Sequence, residues 1–538
     1  MKSITRARLI LAFFILAILW FFNLNHFDLL KPDEGRYAEI AREMAVTGDY
    51  ITPRIDGIKY FEKPPLQYWA TALSYEVFGP HNWTARLWTA LCGFLTMLAV
   101  FFFARRYYSL ERAVLATAVL ASSLLFTVMS HLNTLDIGVS FFMTLIAMAL
   151  AVLFSPGHEE SEYKKANLVL WIAAALAFLS KGLMAFVLPG FAAVIFLLVR
   201  REWTVFKRIK WLWGIPLCLA ILLPWVLILS QRHPEFARFF FIHEHFERFL
   251  TTSHHREGPW WFFLPYLLVG CFPWLFFIPR LKWNDPKTLF FLIWSLAIFS
   301  FFSASSSKLA PYVLPIWPSL ALLAAASLDS GARPRDPLYI GASLALLALL
   351  FVSGSFYVSG MSSPRFEDGM FVEFSHWLLG VGAVLFVACL AVTLLKIPRL
   401  KKIVALAVTT LVASQILLAG YGHIFAPSVS SRVLSEALRP YITEQTPVYM
   451  VHYYEQELPF YMNRLVTLVE YQGELEFGIA NEQTARYKTL GEFADEWRKS
   501  PSAVMIYEPH TGGLLSQQGI NYKVIYQDKR RVAAIKTQ

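Results

Sequence analysis

Runs of about twenty consecutive apolar residues recur along the chain, and nothing else in the sequence constrains its fold so strongly. A helix of that length spans the hydrocarbon core of a bilayer, where no water satisfies a broken backbone hydrogen bond. The runs lie near 9–28, 84–104, 112–130, 137–154, 166–180, 183–199, 211–230, 260–279, 288–303, 310–327, 338–357, 376–395 and 403–421. They predict an α-helical polytopic membrane protein with about thirteen crossings. The first run is longer than an ordinary signal-peptide core and no small-residue cleavage site follows it at 23–30, so an uncleaved anchor is expected. The composition agrees, since 56% of the 538 residues are hydrophobic and only 16% are charged.

Orientation follows from basic residues in the short connections, because cytoplasmic segments retain Lys and Arg. Lys2, Arg6 and Arg8 precede the first run, and every second connection repeats the signature: Arg105 and Arg106, Lys164 and Lys165, Arg200 to Lys210, Arg280 and Lys282, Arg333 and Arg335, and Lys396 to Lys402. The N-terminus is therefore expected in the cytoplasm. An odd number of crossings then puts the C-terminal stretch outside. The net charge of +10 belongs to these loops, and no basic stripe interleaved with aromatics suggests nucleic acid. Cys92, Cys218, Cys271 and Cys389 all fall within apolar runs and read as packing residues.

The alternate connections are longer and chemically richer. Residues 30–83 hold a predicted amphipathic helix over 33–46, with Tyr37, Ile40, Ala41 and Met44 on its apolar face, expected to lie in the membrane interface. Pro64 and Pro65 then start a second short helix. Residues 231–259 carry Arg232, Arg238, Arg248 and Arg256 among Glu235, Glu244, Glu247 and several histidines. Asp136, Lys181 and Lys308 with Tyr312 stand at the outer ends of apolar runs. Taken singly, such residues usually snorkel to headgroups or pair locally. As a set, Asp33 and Asp136 with Lys63, Lys181, Arg248 and Lys308 would line a charged outer cavity.

Beyond residue 421 the hydropathy changes. PVYMVHYY, RLVTLVEY, SAVMIYEP and the segment from Tyr522 read as strands with charged helices between them, a small α/β domain over 422–538 outside a membrane domain over 1–421. No glycine-rich nucleotide fingerprint, nucleophile elbow or metal-spacing motif is present. His423 and His452 each read more readily as packed residues than as ligands.

At KPDEGRYAEIAREM, YFEKPPLQYWATA, the lone Asp136, SKG at 180–182 and SKLAPYVLP, the chain resembles the membrane-embedded C-type (GT-C) glycosyltransferases. Within them it is most similar to the aminoarabinose transferases that modify lipid A, relatives of the protein O-mannosyltransferases, and YYEQELPFYMNR extends the likeness into the outer domain. The resemblance implies a sugar donor on polyprenyl (undecaprenyl) phosphate, used at the periplasmic face of a bacterial inner membrane by direct inverting displacement. It implies lipid A as acceptor, with another lipid, glycan or protein as the alternative. The absence of a nucleotide-binding loop agrees with a lipid-borne donor.

By the same resemblance Lys63 and Arg248 hold the donor phosphate, with Tyr60 and Tyr312 as hydrogen-bonding neighbours and Lys181 facing that phosphate or the acceptor's. Asp33 and Asp136 are the catalytic carboxylates, and Arg36 holds a phosphate or orients Asp33. Lys308 helps to position the substrate. Glu62 either pairs with Lys63 or ligates a divalent metal, and no other cofactor is implied. A lipid transporter or flippase is the rival class, but the charges crowd the outer ends of spans and no internal repeat is evident.

Overall fold

The apolar runs emerge as helices because a buried backbone must satisfy its own hydrogen bonds. The computed structural model describes residues 6–247, 258–272, 274–275, 278, 285–329, 336–364 and 366–537, without the side chains of 245–247, 329, 336 and 337. Its apolar helices include Arg6–Phe21, Asn82–Tyr107, Leu135–Leu153, Glu160–Lys181, Met184–Arg200, Trp211–Arg232, Pro286–Ala304, Asp336–Ser359, Met370–Leu394 and Arg399–Ile424. Among the described residues eight helices are long and apolar enough to cross a membrane, or nine with the pair Leu110–Ala121 and Leu124–Ser130, which bends by 68°. The hydroxyls of Ser122 and Ser123 at that break donate to the carbonyls of Ala118 and Val119, a competition that bends helices. The expected thirteen exceeds this count at four of the runs. Arg6–Phe21 and Met184–Arg200 have 16 and 17 residues, Glu160–Lys181 opens on charged turns, and the run at 260–279 extends beyond the described residues.

Several basic connections meet at one end of the bundle. Arg106 pairs with Glu162, Arg208 donates to the carbonyls of Leu153 (3.1 Å) and Ser155 (3.0 Å), and the Tyr108 hydroxyl donates to Asp285 (3.1 Å). The long outer segments occupy the other end. There the first outer helix, Asp33–Thr47, is followed by the hairpin β1 (Arg54–Ile55) and β2 (Ile58–Lys59) and by the second outer helix, Leu66–Phe78, directly after Pro64 and Pro65.

The first outer helix departs from expectation in its surroundings. Its apolar face is the expected one, and Tyr37, Ile40, Ala41 and Met44 pack with Ile55, Ile58, Tyr60 and Tyr68. Its other face does not rest among headgroups, because Glu39, Arg42 and Glu43 are also buried. The outer domain covers it. A Cβ on Gly35 would lie 2.5 Å from Cβ of Glu457, so only glycine allows this approach.

That domain is a six-stranded sheet in the order β5-β4-β3-β6-β8-β7, from β3 (Val448–Val451), β4 (Thr467–Val469), β5 (Tyr487–Lys488), β6 (Val504–Tyr507), β7 (Tyr522–Gln527) and β8 (Val532–Lys536). The first four pair in parallel, and β8 runs antiparallel to both β6 and β7. The strand segment from Tyr522 is a hairpin, turned at Asp528, whose carboxylate accepts from the backbone N–H groups of Arg530 (2.8 Å) and Arg531 (2.6 Å). Alternation decides which way the sheet faces. Val448, Met450, Val504 and Ile506 pack toward the first outer helix, while Tyr449, Val451, Met505 and Tyr507 pack toward Phe493 and Trp497.

Candidate active site

Five of the residues singled out in the sequence form one connected group under the outer domain. Arg36 projects from the first turn of the first outer helix and donates to the Tyr60 hydroxyl (3.2 Å), which in turn donates to Glu62 (3.0 Å). Lys63 stands 3.8 Å from the Glu62 carboxylate and donates to Glu244 (2.9 Å), carried by the second long outer segment. Asp33 lies 4.0 Å from Arg36 with half of its side chain exposed, so it remains open to an incoming molecule. The second guanidinium nitrogen of Arg36 sits 3.3 Å from Glu474 of the outer domain. Burial alone would push the Glu474 carboxyl upward, but Arg36 and hydrogen bonds from Gln456 and Tyr471 outweigh it, and the group stays below the usual carboxylate range. Burial together with the neighbouring Glu62 charge raises the Tyr60 phenol well above its ordinary value, so it stays a hydroxyl donor at neutral pH.

A second group joins Asp136, Lys181 and Tyr312. Asp136 lies in the first turn of Leu135–Leu153 and pairs directly with Lys181, the last residue of Glu160–Lys181. The Lys181 ammonium lies 5.0 Å from the centre of the Tyr312 ring. Lys308 is buried and donates to the carbonyl of Ser305, and among the described residues no bond joins it to either group. Arg248 lies outside the described residues. Among those described, no three His, Cys, Asp or Glu residues converge as a metal site.

The two groups are tied together by residues to which the sequence assigned no role. Glu34, next to Asp33, accepts from Arg86 Nε (2.7 Å) and Nη2 (2.8 Å), from the backbone of Leu30 (3.0 Å) and from that of Asn133 (2.8 Å), just ahead of Asp136. The Asn133 side chain accepts in turn from Gln67 of the second outer helix (2.7 Å). One buried carboxylate therefore fixes the segment bearing Asp33 against the segment bearing Asp136. Lys63 and Asp136 consequently share one end of the molecule. Arg86 also donates to the carbonyls of Leu24 (3.1 Å), Phe27 (2.7 Å) and Asp28 (3.0 Å). A lone cation near the start of an apolar span was the signal that could have revealed it.

The YYEQELPFYMNR segment docks the outer domain on this frame. Glu455, fully buried, accepts from Lys31 (2.8 Å) and Ser431 (2.9 Å) and pairs with Arg530. Burial would raise its carboxyl, but Lys31, Arg530 and Arg531 hold it below the ordinary value.

Charged residues singled out in the sequence are thus gathered at one end of the helical bundle, and comparison with known proteins shows which family shares this arrangement of domains. The undecaprenyl phosphate-α-4-amino-4-deoxy-L-arabinose arabinosyl transferase of Pseudomonas savastanoi pv. phaseolicola is 34% identical over 69% of this chain and 70% of its own length. The chain belongs to the aminoarabinose transferase family. Its counterpart in Pseudomonas paraeruginosa is 33% identical over 67% of each chain. The aminoarabinose transferase C-terminal domain matches residues 434–536, and the dolichyl-phosphate-mannose-protein mannosyltransferase family matches residues 6–240. The crystal structure of the family member ArnT from Cupriavidus metallidurans bound to undecaprenyl phosphate superposes with a TM-score of 0.91 at 30% identity, covering 99% of this chain and 98% of that one. Membership in this glycosyltransferase family accounts for a multi-pass membrane domain capped by a small α/β domain.

Proposed function

We propose that this chain transfers 4-amino-4-deoxy-L-arabinose from undecaprenyl phosphate to a phosphate of lipid A at the periplasmic face of the bacterial inner membrane. The observation that carries this reading is the connected group Arg36, Tyr60, Glu62 and Lys63, at the end of the bundle covered by the outer domain. In the reaction an acceptor oxygen attacks the anomeric carbon, the bond from that carbon to the donor phosphate oxygen breaks, and the electron pair leaves with undecaprenyl phosphate. Lys63 and Arg36 stabilise the charge that grows on the departing phosphate, within a site whose polar groups are already oriented. An acceptor phosphate is ionised near neutral pH and needs no base, so Asp33 serves to position it. With a hydroxyl acceptor the same carboxylate would take the proton.

In this reading Arg248 adds a second cation to the donor phosphate, and the Asp136–Lys181 pair with Tyr312 borders the space where sugar and acceptor meet. Lys308 supports the segment that carries Tyr312. Glu62 is the carboxylate placed to take a divalent cation should the reaction use one, and chelation followed by re-addition of metal measures that directly. The N-terminus faces the cytoplasm, as the basic connections require.

The test is the lipid A mass profile of cells with and without the protein. A gain of one aminopentose on lipid A only when the protein is present supports the reading. Unmodified lipid A alongside a newly glycosylated protein or another lipid would replace the acceptor.

A further inference from the structure

The Lys63 ammonium, assigned above to the donor phosphate, already has an anion on it. It donates to the Glu244 carboxylate (2.9 Å) and to the backbone carbonyl of Glu62 (3.0 Å), and the Glu62 carboxylate stands 3.8 Å away. A phosphate that reaches Lys63 therefore competes with a carboxylate for the same charge. Glu62 is the neighbour of Lys63 in the chain and accepts from the Tyr60 hydroxyl (3.0 Å), so it travels with the site. Glu244 comes from a different segment, the π-helix Phe239–Glu247, a winding that is rare and occurs mostly as short stretches at functional sites. Only 4% of its side chain is exposed, so little water screens its charge from Lys63.

The charge on the lipid phosphate changes during the reaction. In the donor it is a diester of the sugar and the polyprenol, with a single negative charge. Once the bond to the anomeric carbon breaks it is a monoester, which carries about −1.5 to −2 at pH 7. Cations placed to stabilise that growing charge bind the product more tightly than the donor. Without an opposing force, release of undecaprenyl phosphate would limit turnover.

We propose that Glu244 is a resident counter-ion of Lys63, displaced by the donor phosphate and returning to Lys63 to expel undecaprenyl phosphate after transfer. The inference rests on the donor reading above and adds to it how the site empties. Glu244 weakens binding of both lipids, because each must break the same ion pair. It weakens binding of the product more, since a monoester meets stronger repulsion from a nearby carboxylate than a diester does. A Glu244 that merely oriented Lys63 toward the phosphate would act with the opposite sign.

The experiment follows transfer by the full chain in proteoliposomes, with lipid A, undecaprenyl phosphate-aminoarabinose and added undecaprenyl phosphate as product inhibitor. Glu244→Gln keeps the shape and removes the charge. It should lower the inhibition constant of undecaprenyl phosphate by about tenfold or more, the donor KM by a smaller factor, and kcat as release slows. Glu244→Asp, which keeps the charge but sets it one methylene back from Lys63, should show a smaller fall in the same direction, and it serves if the amide variant does not fold. An unchanged inhibition constant would overturn the proposal. So would a rise in that constant and in KM together, which would make Glu244 an orienting group for Lys63. A wild type that neither uses the donor nor is inhibited by undecaprenyl phosphate would refute the donor reading itself, and the inference with it.

Discussion

Glu34 and Arg86 illustrate how one buried pair can decide where the candidate site groups stand. Their buried pair joins the chain ahead of the first outer helix, the start of Asn82–Tyr107 and the backbone before Asp136. Removing one member of such a pair leaves an uncompensated charge and costs about 3–5 kcal/mol. Arg86→Met is therefore expected to lower the thermal unfolding temperature sharply. The double variant Glu34→Gln with Arg86→Met should recover part of that stability, because no orphaned charge remains, yet stay slow in transfer. Unfolding scans and turnover on the same preparations check this. Single variants within about 1 kcal/mol of wild type would contradict it. The neighbouring Asp33, by contrast, is half-exposed.

Among the elements, the first outer helix carries the contact between membrane part and outer domain. On its covered face Glu39, Glu43 and Asp56 of the β1–β2 turn are buried around Arg42, which donates to Glu39 (2.7 Å) and to Asn463 (3.1 Å). Glu43 accepts from the backbone of Gly57 (2.9 Å), and Asp56 from that of Val466 (2.7 Å) in the outer domain. Burial pushes the Asp56 carboxyl up to about 8, against the smaller lowering by the Val466 N–H, Arg486 and Arg42, and raises Glu43 well above its ordinary value, against the Gly57 N–H and Arg42. An unfolded carboxyl ionises near pH 4 while the folded one stays protonated to about pH 8, so stability is complete below the first value and declines between the two. Each group of this kind costs up to about 1.4 kcal/mol per pH unit across that window. The unfolding temperature should fall from pH 5.5 to pH 8, and Asp56→Asn, a neutral mimic, should flatten the slope. A wild type no steeper than the variant would contradict the assignment. The apolar face of this helix was legible in the spacing of Tyr37, Ile40, Ala41 and Met44, since periodicity is local. Its burial on the charged side was not, because the covering surface comes from Asn463 and Val466, about four hundred residues later.

At the scale of the whole molecule, hydropathy foretells a helical bundle followed by a small α/β domain, because bilayer thickness acts on local sequence. The motifs at 31–44 and 60–72 place Asp33, Arg36, Tyr60, Glu62 and Lys63, and the structure joins these five residues. What local pattern cannot give is the partner that each charge finds: Glu244 for Lys63, Glu474 for Arg36, Lys181 for Asp136. In the proposed reaction those pairs would neutralise the site until the donor phosphate offers its own charge to the cations. Transfer by purified protein in proteoliposomes, supplied with undecaprenyl phosphate-aminoarabinose and lipid A, tests this account most directly when wild type and Lys63→Ala are compared at equal folded amounts. The expected result is aminoarabinose on lipid A with the wild type and a loss of about a hundredfold or more with Lys63→Ala. Equal turnover by the two proteins would contradict it.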